Sequence, residues 1–265
     1  MNDSALPPVP RASLLRRSLP YRAKAAGIHL GLSGLVFGVA LYLILVEWYP
    51  GFHFGVDGGW QGVRIMAAVD LVLGPALTLI VFNPFKARRL IAFDLTCIGL
   101  AQAAALTWGF YAVHGQRPVS LNFHEGLFYS MPARSLDAEE ATPELLARLS
   151  DRRPALIYVA PAVDAQERRH AAERVASGKF MAHEDPFFFR PLAPHWSEVQ
   201  EAAINPGRAA DKDRLFARDL PGFLARQGGQ ASDYRFFRYQ GGYGSCILAF
   251  SAAGQVIDAL GCEAS

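Results

Sequence analysis

Charge is what the early part of this sequence has least of. Ala26–Tyr49 holds only Glu47, Val63–Phe82 only Arg64 and Asp70, and Leu90–Val113 only Asp94. The missing polar face excludes ordinary surface helices, in which an apolar stripe alternates with charge at the helical period. Each segment has the roughly 20 mostly apolar residues that a helix rising 1.5 Å per residue needs to cross about 30 Å of hydrocarbon. A second shortage gives the orientation. The loop Pro50–Gly62 has no Lys or Arg, whereas the leader has Arg11, Arg16, Arg17, Arg22 and Lys24, and the loop Asn83–Arg89 has Lys86, Arg88 and Arg89. Basic residues are retained on the cytoplasmic side. The reading is therefore a cytoplasmic leader over residues 1–25, an α-helical bundle of three transmembrane helices over 26–113, and a mixed α/β extracytoplasmic domain over 114–265, periplasmic in a bacterium with two membranes.

Other absences narrow the function. The formal charge of +2 hides an uneven split, since nine of the 26 Lys and Arg precede residue 114 and the tail has 17 basic against 19 acidic residues. A nearly neutral tail without a basic stripe excludes a nucleic-acid protein. The Gly-rich loop Pro50–Gly62 is neither Gly-x-Gly-x-x-Gly nor Gly-x-x-x-x-Gly-Lys, and no strand precedes it, so it is not a phosphate loop. His124-Glu125 and His183-Glu184 lack the second His that would put two imidazoles on one helix face, and Ser245 stands outside a Gly-x-Ser-x-Gly elbow. No catalytic, metal or cofactor site is expected. The late start of the first apolar run, which ends at Glu-Trp-Tyr-Pro, excludes a cleaved export signal and leaves a retained anchor. Met1–Leu19, rich in Pro, Ser and Arg, is expected to be poorly ordered.

Within the first span, Gly27, Gly31, Gly34 and Gly38 recur every three or four residues and form one bare stripe. A neighbouring helix can approach closely there, whether an internal one or a partner's. In the second span Asp70 is an expensive intramembrane carboxylate, and Gly74-Pro75 just beyond it predicts a kink. Counting depth from the cytoplasmic ends puts Gln102 level with Asp70, Glu47 beside Arg64, and His29 near Asp94. Asp70 is thus a structural anchor, a recognition group for a partner's membrane residue, or a proton site. Phe52, Phe54 and Trp60 place the first loop at the membrane surface.

The tail reads as a hairpin over Val119–Phe123 and Leu127–Met131, a helix at Pro143–Ser150, a buried strand at Ala155–Ala160, and a helix at Ala165–Ser177. Three strands follow at Tyr234–Tyr239, Cys246–Ser251 and Val256–Leu260. Phe187–Leu192 with Trp196 form an aromatic cluster, either core or recognition patch. Ala202–Leu220 reads as loop and short helix. Cys246 and Cys262 share the oxidising side, and a disulfide between them stays open.

Several runs carry a resemblance. They are Tyr49-Pro-Gly-Phe-His-Phe, Asp57-Gly58-Gly59-Trp60-Gln-Gly62, Asp70-Leu-Val-Leu-Gly74-Pro75, Leu77-Thr-Leu-Ile-Val-Phe-Asn83-Pro84, Phe93-Asp94-Leu95 and Gln116-Arg117-Pro118-Val119. Together they resemble the TfpX/TfpZ family of type IV pilin accessory proteins over about residues 27–130, with Gly241-Gly-Tyr-Gly244 as a further echo. The resemblance implies a non-enzymatic inner-membrane protein, surrounded by inner-membrane lipid. It would assist pilin stability, presentation or pilus assembly, with type IV pilin and other assembly components as partners. It implies no catalytic residue and no cofactor. A membrane-anchored periplasmic sensor or envelope-binding module, and a pilin-modifying enzyme, remain as alternatives.

Overall fold

The computed structural model describes residues 11–264, with side chains over 17–263. Three helical stretches, Arg17–Trp48, Gly59–Val81 and Arg88–Gln116, are long and apolar enough to cross a membrane, and a mixed α/β domain follows them. The chain forms two compact units. One takes the chain up to Leu43 together with Gln61–Tyr111, and the other takes Ile44–Trp60 together with everything from Ala112.

In the first unit, α1 (Arg11–Tyr42) begins earlier than expected, because Arg11–Leu19 is helical and Pro20 is carried inside the helix. Residues 1–10, the rest of the stretch expected to be poorly ordered, lie outside the described residues. The Arg22 guanidinium donates to the Ile80 carbonyl at 3.0 Å, a cation placed on an otherwise orphaned carbonyl at a helix C-terminus. Helix α1 passes into a wider turn at Leu43–Trp48 and is followed by one turn of helix, α2 (His53–Val56).

The second span consists of α3 (Gly59–Ala67), a π segment at Ala68–Leu73, and α4 (Gly74–Val81). The expected kink thus takes the form of a widened turn. Pro75 has no N–H and its ring crowds the carbonyl four residues back; just before it, the Gly74 N–H donates to Val69, five residues back. Asp70 lies in this π segment. Helix α5 (Arg88–Gln116) is the third span.

The second unit is built on one seven-stranded sheet in the order β4-β3-β1-β2-β5-β6-β7. Its strands are β1 (Pro118–His124), β2 (Leu127–Pro132), β3 (Ala155–Val159), β4 (Phe189–Pro191), β5 (Arg235–Gln240), β6 (Gly244–Phe250) and β7 (Val256–Ala264). The β1–β3 and β2–β5 pairs are parallel, and the other pairs antiparallel. The hairpin, the strand Ala155–Ala160 and the three terminal strands all lie where the apolar runs put them. The hairpin turns at Glu125 and Gly126, both with positive φ.

Alternate residues face opposite sides of the sheet. Leu121, Phe123, Leu156, Tyr158, Phe237, Tyr239, Leu248 and Phe250 form one core face. On the other, Ile157 and Val159 pack with Leu146 of α6 (Pro143–Leu149) and, at its margin, Ala171 of α7 (Ala165–Ala176). Phe236, Ile247 and Ala249 pack there with Phe216 and Phe223.

The region expected as loop and short helix over Ala202–Leu220 instead holds α9 (Pro206–Lys212), preceded by α8 (Trp196–Glu201), and the first half of α10 (Arg214–Gln227). Asp213 caps α10 through the Leu215 and Phe216 amides at 2.9 Å. Burial of Phe216 and Phe223 on one face carries the helix through Pro221: tertiary packing overrides the local breaker. The aromatic cluster is mostly core: Phe188 and Phe189 are buried, and the Trp196 ring packs on Phe237 and Phe250. Cys246 and Cys262 are free thiols that share a hydrogen bond. That bond, and then burial, push the Cys246 thiol above its usual range.

Candidate functional site

The Asp57-Gly-Gly-Trp motif acquires a physical reason in the second unit. In α2 the Asp57 N–H donates to the His53 carbonyl at 2.9 Å, and this i,i+4 closure puts the two side chains on one face. His53 Nδ1 lies 2.5 Å from Asp57 Oδ2. The same oxygen accepts from the Tyr239 hydroxyl at 2.8 Å, and Oδ1 accepts from the Gly242 N–H at 3.2 Å. One carboxylate therefore joins the first loop to strand β5 and to the Gly241-Gly-Tyr-Gly244 turn.

The backbone adds a further link, with the Tyr243 N–H donating to the Val56 carbonyl at 2.7 Å. The glycines allow the approach: a Cβ on Gly241 would sit 2.5 Å from the Val56 oxygen, and one on Gly58, at φ +104°, would sit 2.7 Å from the Tyr243 ring. Val56 and Phe52 complete the core face around Tyr239. Trp60, by contrast, is half exposed and meets Phe54 edge-on.

This cluster holds parts together. His53, Asp57 and Tyr239 are 4%, 2% and 1% exposed, which leaves no approach for a substrate to the imidazole. Burial and the Asp57 charge raise the Tyr239 phenol well above its usual pKa, so it stays protonated and donates. Beside the cluster lies a cleft of about 460 Å³ lined by Tyr129, Arg134, His183 and Glu184. Burial, and next His124, lower the His183 pKa to about 4, and burial raises that of Glu184. Both shifts favour the neutral forms. Among the described residues no group of three His, Cys, Asp or Glu could hold a metal ion.

Arg117 and Pro118 lie at the entry to the domain. The Arg117 guanidinium donates to the His114 carbonyl at 2.7 Å, the Arg117 carbonyl accepts from Ala133, and Pro118 opens β1.

In the first unit the polar side chains pair differently from the expected depth matches. His29 Nδ1 lies 2.6 Å from Thr78 Oγ1 rather than meeting Asp94, and Asp94 accepts from Lys86 at 2.6 Å. Gln102 lies across Gly74, where any Cβ would overlap its amide. Asp70 is 4% exposed, and its Oδ2 has no hydrogen-bond partner. Asn83 closes the turn before Pro84, its Oδ1 accepting from the Phe85 N–H. The glycine stripe faces open space: among the described residues a Cβ added at Gly27, Gly31, Gly34 or Gly38 would meet nothing within 4 Å.

Sequence reasoning missed His53 and Tyr239. The first could have been found from its i,i+4 spacing to Asp57. The second is 182 residues away from Asp57 and no local pattern marks it.

Three membrane-length helices and an α/β domain whose core includes the first loop define a multi-pass membrane protein. The chain is 32% identical over 103 residues to the fimbrial assembly protein of serogroups C1 and C2 of Dichelobacter nodosus, a match covering 39% of this chain and 79% of that protein. The chain belongs to this family of fimbrial assembly proteins. Matches of the same identity and length to the fimbrial assembly proteins of serogroups E1 and I cover 40% of each, so the chain spans about two-fifths of their length. No protein-family model and no solved structure matches the chain.

Proposed function

We propose that the protein is a non-enzymatic inner-membrane accessory of type IV pilus assembly, of the TfpX/TfpZ kind, and that its client is pilin. The observation that carries the reading, beside membership of the fimbrial assembly family, is the bare glycine face of α1. Four glycines aligned along a membrane helix, where no described atom comes within 4 Å of an added Cβ, fit the close approach of another helix. A client held in the same membrane with its head outside could meet both the helix and the α/β domain. The alternatives of a periplasmic sensor and of a pilin-modifying enzyme predict different products: altered transcripts in one case, a covalent change in pilin in the other.

The test is deletion of the gene and complementation with Gly31→Leu or Gly34→Leu. Leucine should overfill a contact suited to bare backbone. Since no described residue lies within 4 Å of a Cβ at either position, both variants should keep wild-type abundance while losing surface pili and the photo-crosslinks that residues 27–38 otherwise form to the pilin helix. If deletion leaves pilin amount, processing and surface assembly unchanged, the accessory reading is wrong.

The orientation belongs to the same proposal. With Lys86, Arg88 and Arg89 inside, reporter fusions after Gly55, Arg88 and Ala210 should read outside, inside and outside in that order. A cytoplasmic signal at Ala210 would overturn the orientation.

A further inference from the structure

The first unit contains a groove of about 620 Å³, walled by Leu32 and Val36 of α1 and by Ala103 and Leu106 of α5, and floored by Asp70 and Thr78 of the second span. Its walls are mainly apolar, with Lys24, His29 and Ser33 of α1 and Gln102 of α5 as the polar side chains among them, and its floor is polar. Thr78 is engaged by His29, whereas Asp70 is 96% buried with Oδ2 unpartnered. In hydrocarbon no water compensates such an oxygen, so a buried carboxylate oxygen left without a hydrogen bond is costly to the isolated chain. The π segment that carries it, Ala68–Leu73, is a kind of helix irregularity that recurs at functional sites.

The depth of the carboxylate selects its ligand. Asp70 stands midway along the stretch Gly59–Val81, about 16 Å from either end at 1.5 Å per residue. A lipid headgroup belongs to the interface and does not reach that depth, whereas a side chain on a spanning helix does. We propose that this groove receives a transmembrane helix bearing one hydrogen-bond donor side chain at mid-membrane, which donates to the Asp70 carboxylate. The groove is separate from the glycine stripe, which lies roughly 140° away around α1 by helical periodicity. The inference therefore stands on the membrane unit alone and does not rest on the pilus reading.

The test uses the full-length protein in lipid vesicles and two dye-labelled synthetic helices of 21 residues, Leu-Ala throughout except for a central Asn or a central Leu, with energy transfer to a label on the protein. The Asn helix should bind about tenfold more tightly than the Leu helix, the scale of an interhelical hydrogen bond in model membranes. Asp70→Leu should bring the ratio to about one. Ala103→Trp, which fills the groove from the opposite wall and leaves the carboxylate intact, should abolish binding of both helices and decides the matter if Asp70→Leu does not fold. Equal binding of both probes by the wild type, an Asn preference that survives either substitution, or Asp70-dependent proton leakage without probe preference would overturn the proposal.

Discussion

Asp57→Ala should lower the unfolding temperature of the α/β unit by about 10 °C, measured as loss of its protease-resistant fragment on heating the detergent-solubilised protein. The carboxylate is buried and accepts from Tyr239 and Gly242 while lying 2.5 Å from His53 Nδ1. Its removal leaves these groups facing one another in a buried site. Breaking a buried charged network from one side costs about 3–5 kcal/mol, and each kcal/mol shifts the melting of a unit this size by about 2–4 °C. Asp57→Asn, which keeps one acceptor oxygen, should fall between the two. Tyr239→Phe removes a single donor and should cost about 1–2 kcal/mol. An Asp57→Ala protein that melts with the wild type would mean that the first loop is not fastened through this carboxylate.

Gly241→Ala should release the same fastening from the other side. The added methyl would sit 2.5 Å from the Val56 carbonyl oxygen and 2.7 Å from Asp57 Oδ1. The first of these is backbone, and no side-chain rotation relieves it. Overpacking of this kind costs about 1–3 kcal/mol, and the least costly relief is for the turn to withdraw from the loop. Hydrogen exchange at one position reads this directly: the Tyr243 amide, bonded to Val56 at 2.7 Å, should be protected in the wild type and exchange at least about tenfold faster in the variant. Gly242→Ala serves as the control, because a Cβ there would meet nothing within 4 Å, and it should leave that protection unchanged. Equal protection in all three proteins would separate the Gly-Gly-Tyr-Gly turn from the loop.

Much of the architecture was legible in the residues, for reasons that are local. Scarcity of charge marks the three spans because burial of charge in hydrocarbon is costly whatever surrounds it. Short apolar runs bounded by turn residues mark β1, β2, β3, β5, β6 and β7, and β3, buried at every position, is a continuous run rather than an alternation. Thr142 and Pro143 start α6 by capping chemistry alone, with Thr142 Oγ1 accepting from the Leu145 N–H. Where an element depends on distant partners the local signals mislead, as over Ala202–Leu220, which read as loop and short helix but holds α9 and the first half of α10, a helix that runs on through Pro221 because Phe216 and Phe223 have a sheet face to cover.

The membrane unit draws the same line more sharply. Depth along a span follows from 1.5 Å per residue, so Asp70 and Gln102 could be set at one level from the sequence. Azimuth does not follow, since it depends on how each helix rotates against its neighbours, and a π segment changes the facing of the residues around it. Gln102 accordingly meets Gly74, and Asp70 Oδ2 meets no partner. The spacing of Gly27, Gly31, Gly34 and Gly38 is a property of the chain, but that no described residue comes within 4 Å of a Cβ at any of them was decided by tertiary structure. So was the fastening of Asp57 to Tyr239. The sequence by itself determined three membrane-length helices and most of the strands, because periodicity and solvation act residue by residue. Only the fold decided that the first loop belongs to the α/β unit, because a contact across 182 residues exists only once the sheet has formed.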